Sequence, residues 1–414
     1  MKPLQKRKGD MCMKKVYIVG AKRSAVGSFS GSLATVHPSE FGATVLKEAM
    51  NHANVKPEMV NEVVVGNILS AGLGQGIGRQ IQIKAGIPQS VPGLSLNMLC
   101  GSGLKTVINA YTTIQAGFSN VIAAGGVESM SGAPYLVNSN VRNGVKMGDQ
   151  VMKDHMIHDA LTDAFDGIHM GITAENIAEK HSISREAQDA FAIKSQEKAI
   201  KAQDSGRFND EIVPIIIKTR KGEVVFNQDE YVNRTTSLEK LSTLRPAFKK
   251  DGTVTAGNAS GINDGASFVI VASEDVVKEN NLSPLVEIVG VGQAGVDPKV
   301  MGLGPVPAIS NALKNANLTL KDIDLFELNE AFAAQALGVV KELAVEHGVT
   351  EEDIMSKTNL NGGAIAIGHP VGASGNRILV TLIHEMLKQP NVKYGLASLC
   401  IGGGMGVAVI VKKI

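Results

Sequence analysis

Hydrophobic and polar positions switch between two periods along most of the chain. Short apolar runs, Val16-Tyr17-Ile18-Val19, Val63-Val64-Val65 and Val121-Ile122-Ala123-Ala124, read as buried strands. Between the last two, Leu104, Val107, Ile108, Tyr111 and Ile114 recur at helical spacing, and Gly117 stands where such a helix should stop. The second half repeats the plan: residues 323–328 predict a strand, 331–343 a helix, 374–387 another helix and 395–399 a strand. Each half thus predicts a strand, a glycine-rich turn, a helix and a strand ending in a glycine pair, Gly125-Gly126 in one and Gly402-Gly403 in the other. This β/α alternation, met twice, predicts a duplicated α/β half-domain.

Residues 131–250 break the alternation. They are richer in charge and carry a long predicted helix from Ser184, an N-cap with Glu186 in the first turn, to about Asp204. The expected organisation is an extension at 1–13, an N-terminal α/β half at 14–130 completed by part of 251–282, an inserted loop and helical domain at 131–250, and a C-terminal α/β half at 283–414. Insertions of that length commonly form lids or binding surfaces. The basic leader has no apolar run after it, so it reads as a dispensable extension rather than a secretion signal. No run of about 18 apolar residues predicts a membrane-spanning helix.

Length and composition narrow the function classes. At 414 residues the chain exceeds what one hydrophobic core supports, and 41 Lys+Arg against 40 Asp+Glu, net +1, argues against a protein that coats nucleic acid or an anionic membrane. Aromatics at 4% with no tryptophan remove stacking platforms for bases. Three cysteines, Cys12, Cys100 and Cys400, without CxxC spacing supply neither a zinc ribbon nor a disulfide framework and fit a reducing cytoplasm. The 45 glycines imply many close backbone approaches.

Three of those glycine-rich places carry reactive side chains. Cys100, in Asn97-Met98-Leu99-Cys100-Gly101-Ser102-Gly103-Leu104, stands at the start of a predicted helix, where the macrodipole should lower a thiol's pKa and favour a nucleophile. Gly101 and Gly103 are expected to clear space for a bound group. His369 lies in Gly368-His369-Pro370-Val371-Gly372-Ala373-Ser374-Gly375, a turn before a helix, mirroring Cys100 in the other half. Cys400 precedes Ile401-Gly402-Gly403-Gly404, whose N–H groups suit an oxyanion, although a plain hairpin turn uses similar residues. Asn329 either caps the next helix or holds a water or substrate oxygen.

Two other clusters are set aside. The run 72–78 lacks GxGxxG spacing, so no dinucleotide site is expected. His155, His158 and His169 with Asp154, Asp159, Asp163 and Asp166 have no metal-ligand spacing and read as a solvated helix face, so no metal is expected.

The four blocks 97–104, 329–333, 362–375 and 400–406 together resemble the signature motifs of the thiolases, over a match from about Lys15 to the C-terminus. His169-Met170-Gly171 and residues 253–261 further resemble the short-chain, biosynthetic branch that makes acetoacetyl-CoA. The resemblance implies an α/β fold, a five-layered αβαβα sandwich of two duplicated halves with an inserted loop domain. It implies Cys100 as the acetylated nucleophile, His369 as its base, Cys400 as the group that moves the α-proton, and Asn329 as the holder of a water that, with His369, meets the enolate oxygen. The N–H groups of Cys100 and Gly402 would hold the acyl-enzyme carbonyl. Ser260, Ala256 and Ala259 would line the pantetheine tunnel, with His169, Met170 and Phe332 around the substrate.

The implied substrates are acetyl-CoA, acetoacetyl-CoA and CoA, with no cofactor, no nucleic-acid or membrane partner, and a cytoplasmic homo-oligomer, dimer or tetramer. Lys218, Arg220 and Lys221 are the expected cations for the CoA phosphates, against a solvated charged strand. Two rivals are a degradative 3-ketoacyl-CoA thiolase of broader chain length, opposed by His169 and Met170, and a non-catalytic acyl-CoA-binding protein, opposed by Cys100, His369 and Cys400 occurring together.

Overall fold

The computed structural model describes residues 14–414; the predicted extension 1–13, with Cys12 in it, lies outside the described residues. The apolar runs fold into strands covered on both faces, and Val16–Ser24, Val121–Ser129 and Asn263–Ser273 are buried almost throughout. Side chains alternate between layers, as the pleat requires: Val16 and Ile18 enter the core between the sheets, Tyr17 and Val19 the outer one.

The strand plan occurs twice. Glu62–Gly66 runs parallel to Val121–Ser129, which is antiparallel to Asn263–Ser273, itself antiparallel to Val16–Ser24. Leu325–Leu328, Tyr394–Ile401, Met405–Lys413 and Val286–Gly295 repeat those relations in that order. Even the register shift recurs, between Ile18 and Gly20 in one half and between Ile288 and Gly290 in the other. At both places a side chain on the glycine would strike the carbonyl oxygen of an overlying helix, that of Ala49 or of Ala312. The two sheets join where Tyr17 pairs with Glu287 and Ile18 with Val286.

Helices complete five layers. Pro38–His52 covers the outside of the first sheet, and Pro305–Ala316 and Ala333–His347 that of the second. Ser102–Gln115 and Val371–Lys388 pack against each other between the sheets, and the latter is buried from Val371 to Met386. That burial on every side places it in the central layer although it carries Asn376, Arg377, His384 and Glu385, all buried. The predicted strand end at Gly125-Gly126 falls mid-strand instead: a side chain on Gly126 would run into the Gly372 carbonyl of the second central helix. The helix expected from 331 begins at Ala333, because Ala331 O and Ala333 N are bonded to Ser260 N and Asn258 O of the neighbouring loop.

Within residues 131–250, the helix Arg185–Asp204 starts at Ser184, whose Oγ accepts the Ala187 N–H at 3.2 Å. It packs on Ala364–Ile367 and Ala333–His347. Arg23, fully buried on the first strand, holds this region by ion pairs to Glu211 at 2.6 Å and to Asp229 at 2.7 and 3.0 Å. Among the described residues no helix is long and apolar enough to cross a membrane.

Candidate active site

Cys100 sits on a strained elbow before the helix Ser102–Gln115. The preceding Leu99 has φ 47°, a conformation that costs a residue with a Cβ about 1–2 kcal/mol. Short polar side chains hold it there: Asn97 Oδ1 accepts the Leu99 N–H at 2.9 Å, and Ser102 Oγ accepts the Met98 N–H while donating to Leu99 O at 2.7 Å. Gly101 and Gly103 make room for protein rather than for a ligand: a side chain on Gly101 would overlap Ile401, and one on Gly103 would meet Asn376 N and Gly372 O.

The expected acidic thiol is not what the surroundings give. Burial pushes Cys100 up to about 11, although the N–H groups of Gly402 and of Cys100 itself reach its sulfur and pull the other way. Desolvation wins because Cys100 precedes the helical turns and no cation is among the groups acting on it. Cys400, near the end of the strand Tyr394–Ile401, is raised further, by burial and then by Cys100 beside it, whose ionised form would oppose a second thiolate.

His369 follows Gly368, whose φ of 110° and missing side chain let Asn263 pack against the turn. Asn263 Oδ1 accepts the His369 N–H at 2.8 Å, and the ring Nδ1 lies 2.6 Å from Ser374 Oγ. Its Nε2 is buried with no protein partner. Burial, then the nearby Arg377 charge, lower the imidazole to about 3, so it is neutral at rest. Glu128 anchors the same turn, accepting N–H groups from Ile68, Leu69 and Gly372.

One cavity of about 490 Å³ gathers the chemistry. Cys100, His369 and Cys400 line it together with His169, Met170, Ala256, Ala259, Ser260 and Phe332. Gly402 and Asn329 are not part of its wall; Gly402 reaches Cys100 through its N–H, and Asn329, 1% exposed, lies two residues before the wall residue Ala331. Asn329 does not cap a helix: that place is taken by Phe332, and both carboxamide atoms of Asn329 lack a protein partner.

Apart from Ser28 and Tyr231 the rest of the wall is apolar, which raises the strength of any charge interaction inside it. His169 caps the helix Met170–Lys180, its Nδ1 accepting the Gly171 N–H at 3.0 Å, and stacks on Phe248 with centroids 4.6 Å apart; Phe248 in turn meets Phe332 edge-on.

The solvated face expected of His155, His158, His169 and the aspartates between 154 and 166 is present only in part: His158, Asp159 and Asp166 are exposed, Asp154 and His169 are half-buried, and His155 and Asp163 are buried. His155 has Nδ1 2.6 Å from Asp159, and Ile157, Ala160 and Leu161 line the cavity. Their i, i+3, i+4 spacing is an apolar stripe that the surrounding histidines and aspartates hid. Tyr231, Phe248 and Met301 also line it, isolated positions with no pattern to mark them. Among the described residues no group of three or more His, Cys, Asp or Glu is placed to hold a metal. Lys218, Arg220 and Lys221 are exposed on the hairpin Ile215–Thr219 and Gly222–Phe226, and none lines the cavity.

Residues 16–275 match the thiolase N-terminal domain and residues 282–413 the thiolase C-terminal domain. The chain belongs to the thiolase family. This thiolase is 54% identical over 402 residues to the acetyl-CoA acetyltransferase of Cupriavidus necator, covering 97% of the chain and all of that relative. It is 44% identical to a solved acetyl-CoA acetyltransferase of Bacillus anthracis, with a TM-score of 0.92 over 97% of this chain and 99% of the other. The human mitochondrial 3-ketoacyl-CoA thiolase is 46% identical, with a TM-score of 0.91 over 97% of this chain and 100% of the other. The family resemblance read from four motifs and the five-layered fold expected from it both hold for this thiolase, an acyltransferase.

Proposed function

We propose that the protein is an acetyl-CoA C-acetyltransferase that condenses two acetyl-CoA molecules, reversibly, to acetoacetyl-CoA and CoA through an acetyl-Cys100 intermediate. The observation that carries this reading is the meeting of two thiols and one imidazole in a single apolar cavity. A thioester on Cys100 is close in energy to the thioester it replaces, so the acyl group is held without a deep trap.

In the first half-reaction His369 Nε2 takes the Cys100 proton as the sulfur attacks the acetyl carbonyl, and the departing CoA sulfur takes the proton of Cys400. The carbonyl oxygen turns to the N–H groups of Cys100 and Gly402. An imidazolium and a Cys400 thiolate remain, each stabilising the other in the apolar pocket. The thiolate then removes the α-proton of the second acetyl-CoA. Its enolate oxygen is met by the new Nε2–H of His369 and by a water that Asn329 is suited to position. Attack of the enolate carbon on acetyl-Cys100 expels the Cys100 sulfur, which recovers its proton from His369, while Cys400 retains the α-proton. Protons balance over the cycle.

Acetyl-CoA, acetoacetyl-CoA and CoA are thus the ligands, with His169, Met170, Phe332, Ala256, Ala259 and Ser260 surrounding them. We extend the family reading to a cytoplasmic homo-oligomer, dimer or tetramer. Incubation with acetyl-CoA followed by intact-mass measurement tests the central step: a covalent acetyl group on Cys100 is expected, and a protein that binds acetyl-CoA without acquiring one is a carrier.

A further inference from the structure

We propose that Ser374 is a positioning residue that fixes the tautomer of His369, keeping the proton on Nδ1 and turning the Nε2 lone pair to the substrate cavity. The inference rests on His369 acting as the base of the proposed reaction.

The neighbours of Ser374 Oγ decide where the protons lie. Ser374 Oγ is 2.6 Å from His369 Nδ1 and 2.9 Å from Pro370 O, and the whole group is buried. A carbonyl oxygen can accept only, and a hydroxyl carries a single proton. With that proton on Pro370 O, the short contact to the ring is satisfied when Nδ1–H donates to Oγ. With the proton turned to Nδ1 instead, Oγ and Pro370 O face each other as two unshielded acceptors, a costly arrangement where water does not reach. The first arrangement leaves Nε2 as the ring acceptor, and Nε2 is the ring atom without a protein partner.

The chain builds this arrangement locally. Ser374 lies in the first turn of Val371–Lys388, and bonding back to the carbonyl four residues earlier is a common habit of serine in helices. His369 precedes that helix by two residues, so the helix start carries both the histidine and the group that orients it. Asn263 and Glu128 fix the backbone on either side, at His369 N and Gly372 N. Because the partner is a neutral hydroxyl, it selects the tautomer without favouring the imidazolium, in contrast to a carboxylate partner. The base therefore remains neutral until a substrate-driven proton transfer.

Nitrogen NMR of the full-length protein labelled with ¹⁵N-histidine tests this, with His369 assigned by its loss in His369→Asn. In the wild type, a protonated Nδ1 and an unprotonated Nε2 are expected; the reverse would overturn the proposal without recourse to any Ser374 variant. Ser374→Ala should mix the tautomers and slow single-turnover acetylation of Cys100 by about 10- to 100-fold, within the range of general-base contributions, with little change in KM. Ser374→Thr, which keeps the hydroxyl, should restore both signals. Slow acetylation in Ser374→Ala with the wild-type tautomer would assign Ser374 a merely structural part and overturn the proposal. Wild-type acetylation by His369→Asn would instead remove the base from the proposed function, whatever tautomer is seen.

Discussion

Gly103 and Gly372 bring the two central helices together backbone to backbone. A side chain on Gly103 would lie 2.8 Å from Asn376 N and 3.0 Å from the Gly372 carbonyl. Cys100 stands three residues before the first glycine and His369 three residues before the second, so this contact sets the distance between nucleophile and base. Gly103→Ala should force backbone apart that has no rotamer to yield, destabilising the fold by about 1–3 kcal/mol, as overpacking does. Activity should fall further than stability predicts, because positioning is lost with the packing. Urea unfolding and kcat on the same preparation check this; wild-type kcat in the Gly103→Ala variant would show that the spacing is not set here.

How much of this was legible in the residues depends on what each position answers to. Strand and helix periods, the duplication and the three reactive residues stood out because each has a local signature. The role of Gly103 did not: a glycine reads as room, and whether a ligand or another helix fills that room is decided by contacts hundreds of residues apart. The Cys100 environment is not legible for a related reason, since a helix start is visible in sequence whereas the desolvation around it is a property of the assembled walls. Ile157, Ala160 and Leu161 are obscured by His158 and Asp159 between them, which are exposed while the apolar stripe turns to the cavity.

Removing each sulfur separates the two half-reactions. Cys100→Ala should acquire no covalent acetyl group and show no thiolysis or condensation. Cys400→Ala should still acetylate Cys100, more slowly because the departing CoA loses its proton donor, and should neither condense acetyl groups nor exchange the α-protons of acetyl-CoA with deuterated water. Intact mass and NMR of recovered acetyl-CoA read the two outcomes. Exchange by Cys400→Ala at the wild-type rate would mean that another base removes the α-proton.

The resting site is neutral, and that has a pH signature. Burial pushes Cys100 up to about 11 and lowers His369 to about 3, so between those values thiol and imidazole are both uncharged in the free protein. The thiolate fraction then grows with rising pH, and alkylation of Cys100 by iodoacetamide should accelerate about tenfold per pH unit between about pH 7 and 9. Peptide mass spectrometry at Cys100 distinguishes it from Cys400, whose thiol is raised further. A rate already level at neutral pH would reveal a preformed thiolate and imidazolium.

Arg23 ties the inserted region to the first strand through Glu211 and Asp229, all three buried. Arg23→Met keeps much of the volume but leaves two carboxylates without their cation. Breaking a buried pair from one side costs about 3–5 kcal/mol, more than replacing both members. Urea denaturation should show that loss, and Asp229→Asn added to Arg23→Met should recover part of it. Additive losses in the double variant would indicate that the charges do not interact.

Met170 closes the cavity beside the reactive centre: it is buried, lines the wall, and its sulfur would lie 3.5 Å from a side chain placed on Gly402. The acyl chain of a longer ketoacyl-CoA must occupy space next to Cys100 and Gly402, so a long side chain here limits its length. The wild type should therefore cleave acetoacetyl-CoA much faster than a ten-carbon ketoacyl-CoA, and equal rates would favour the broad-chain degradative activity. Met170→Ala removes the part of the side chain that fills this space, and each methylene newly accommodated in an apolar pocket is worth about 1 kcal/mol or more. The ratio of kcat/KM for the ten-carbon over the four-carbon substrate should rise by about tenfold or more, even as the truncation lowers stability by about 2–5 kcal/mol. An unchanged ratio in a folded variant would place the chain-length limit elsewhere on the wall, with Leu161 and Ile157 as the next side chains to shorten.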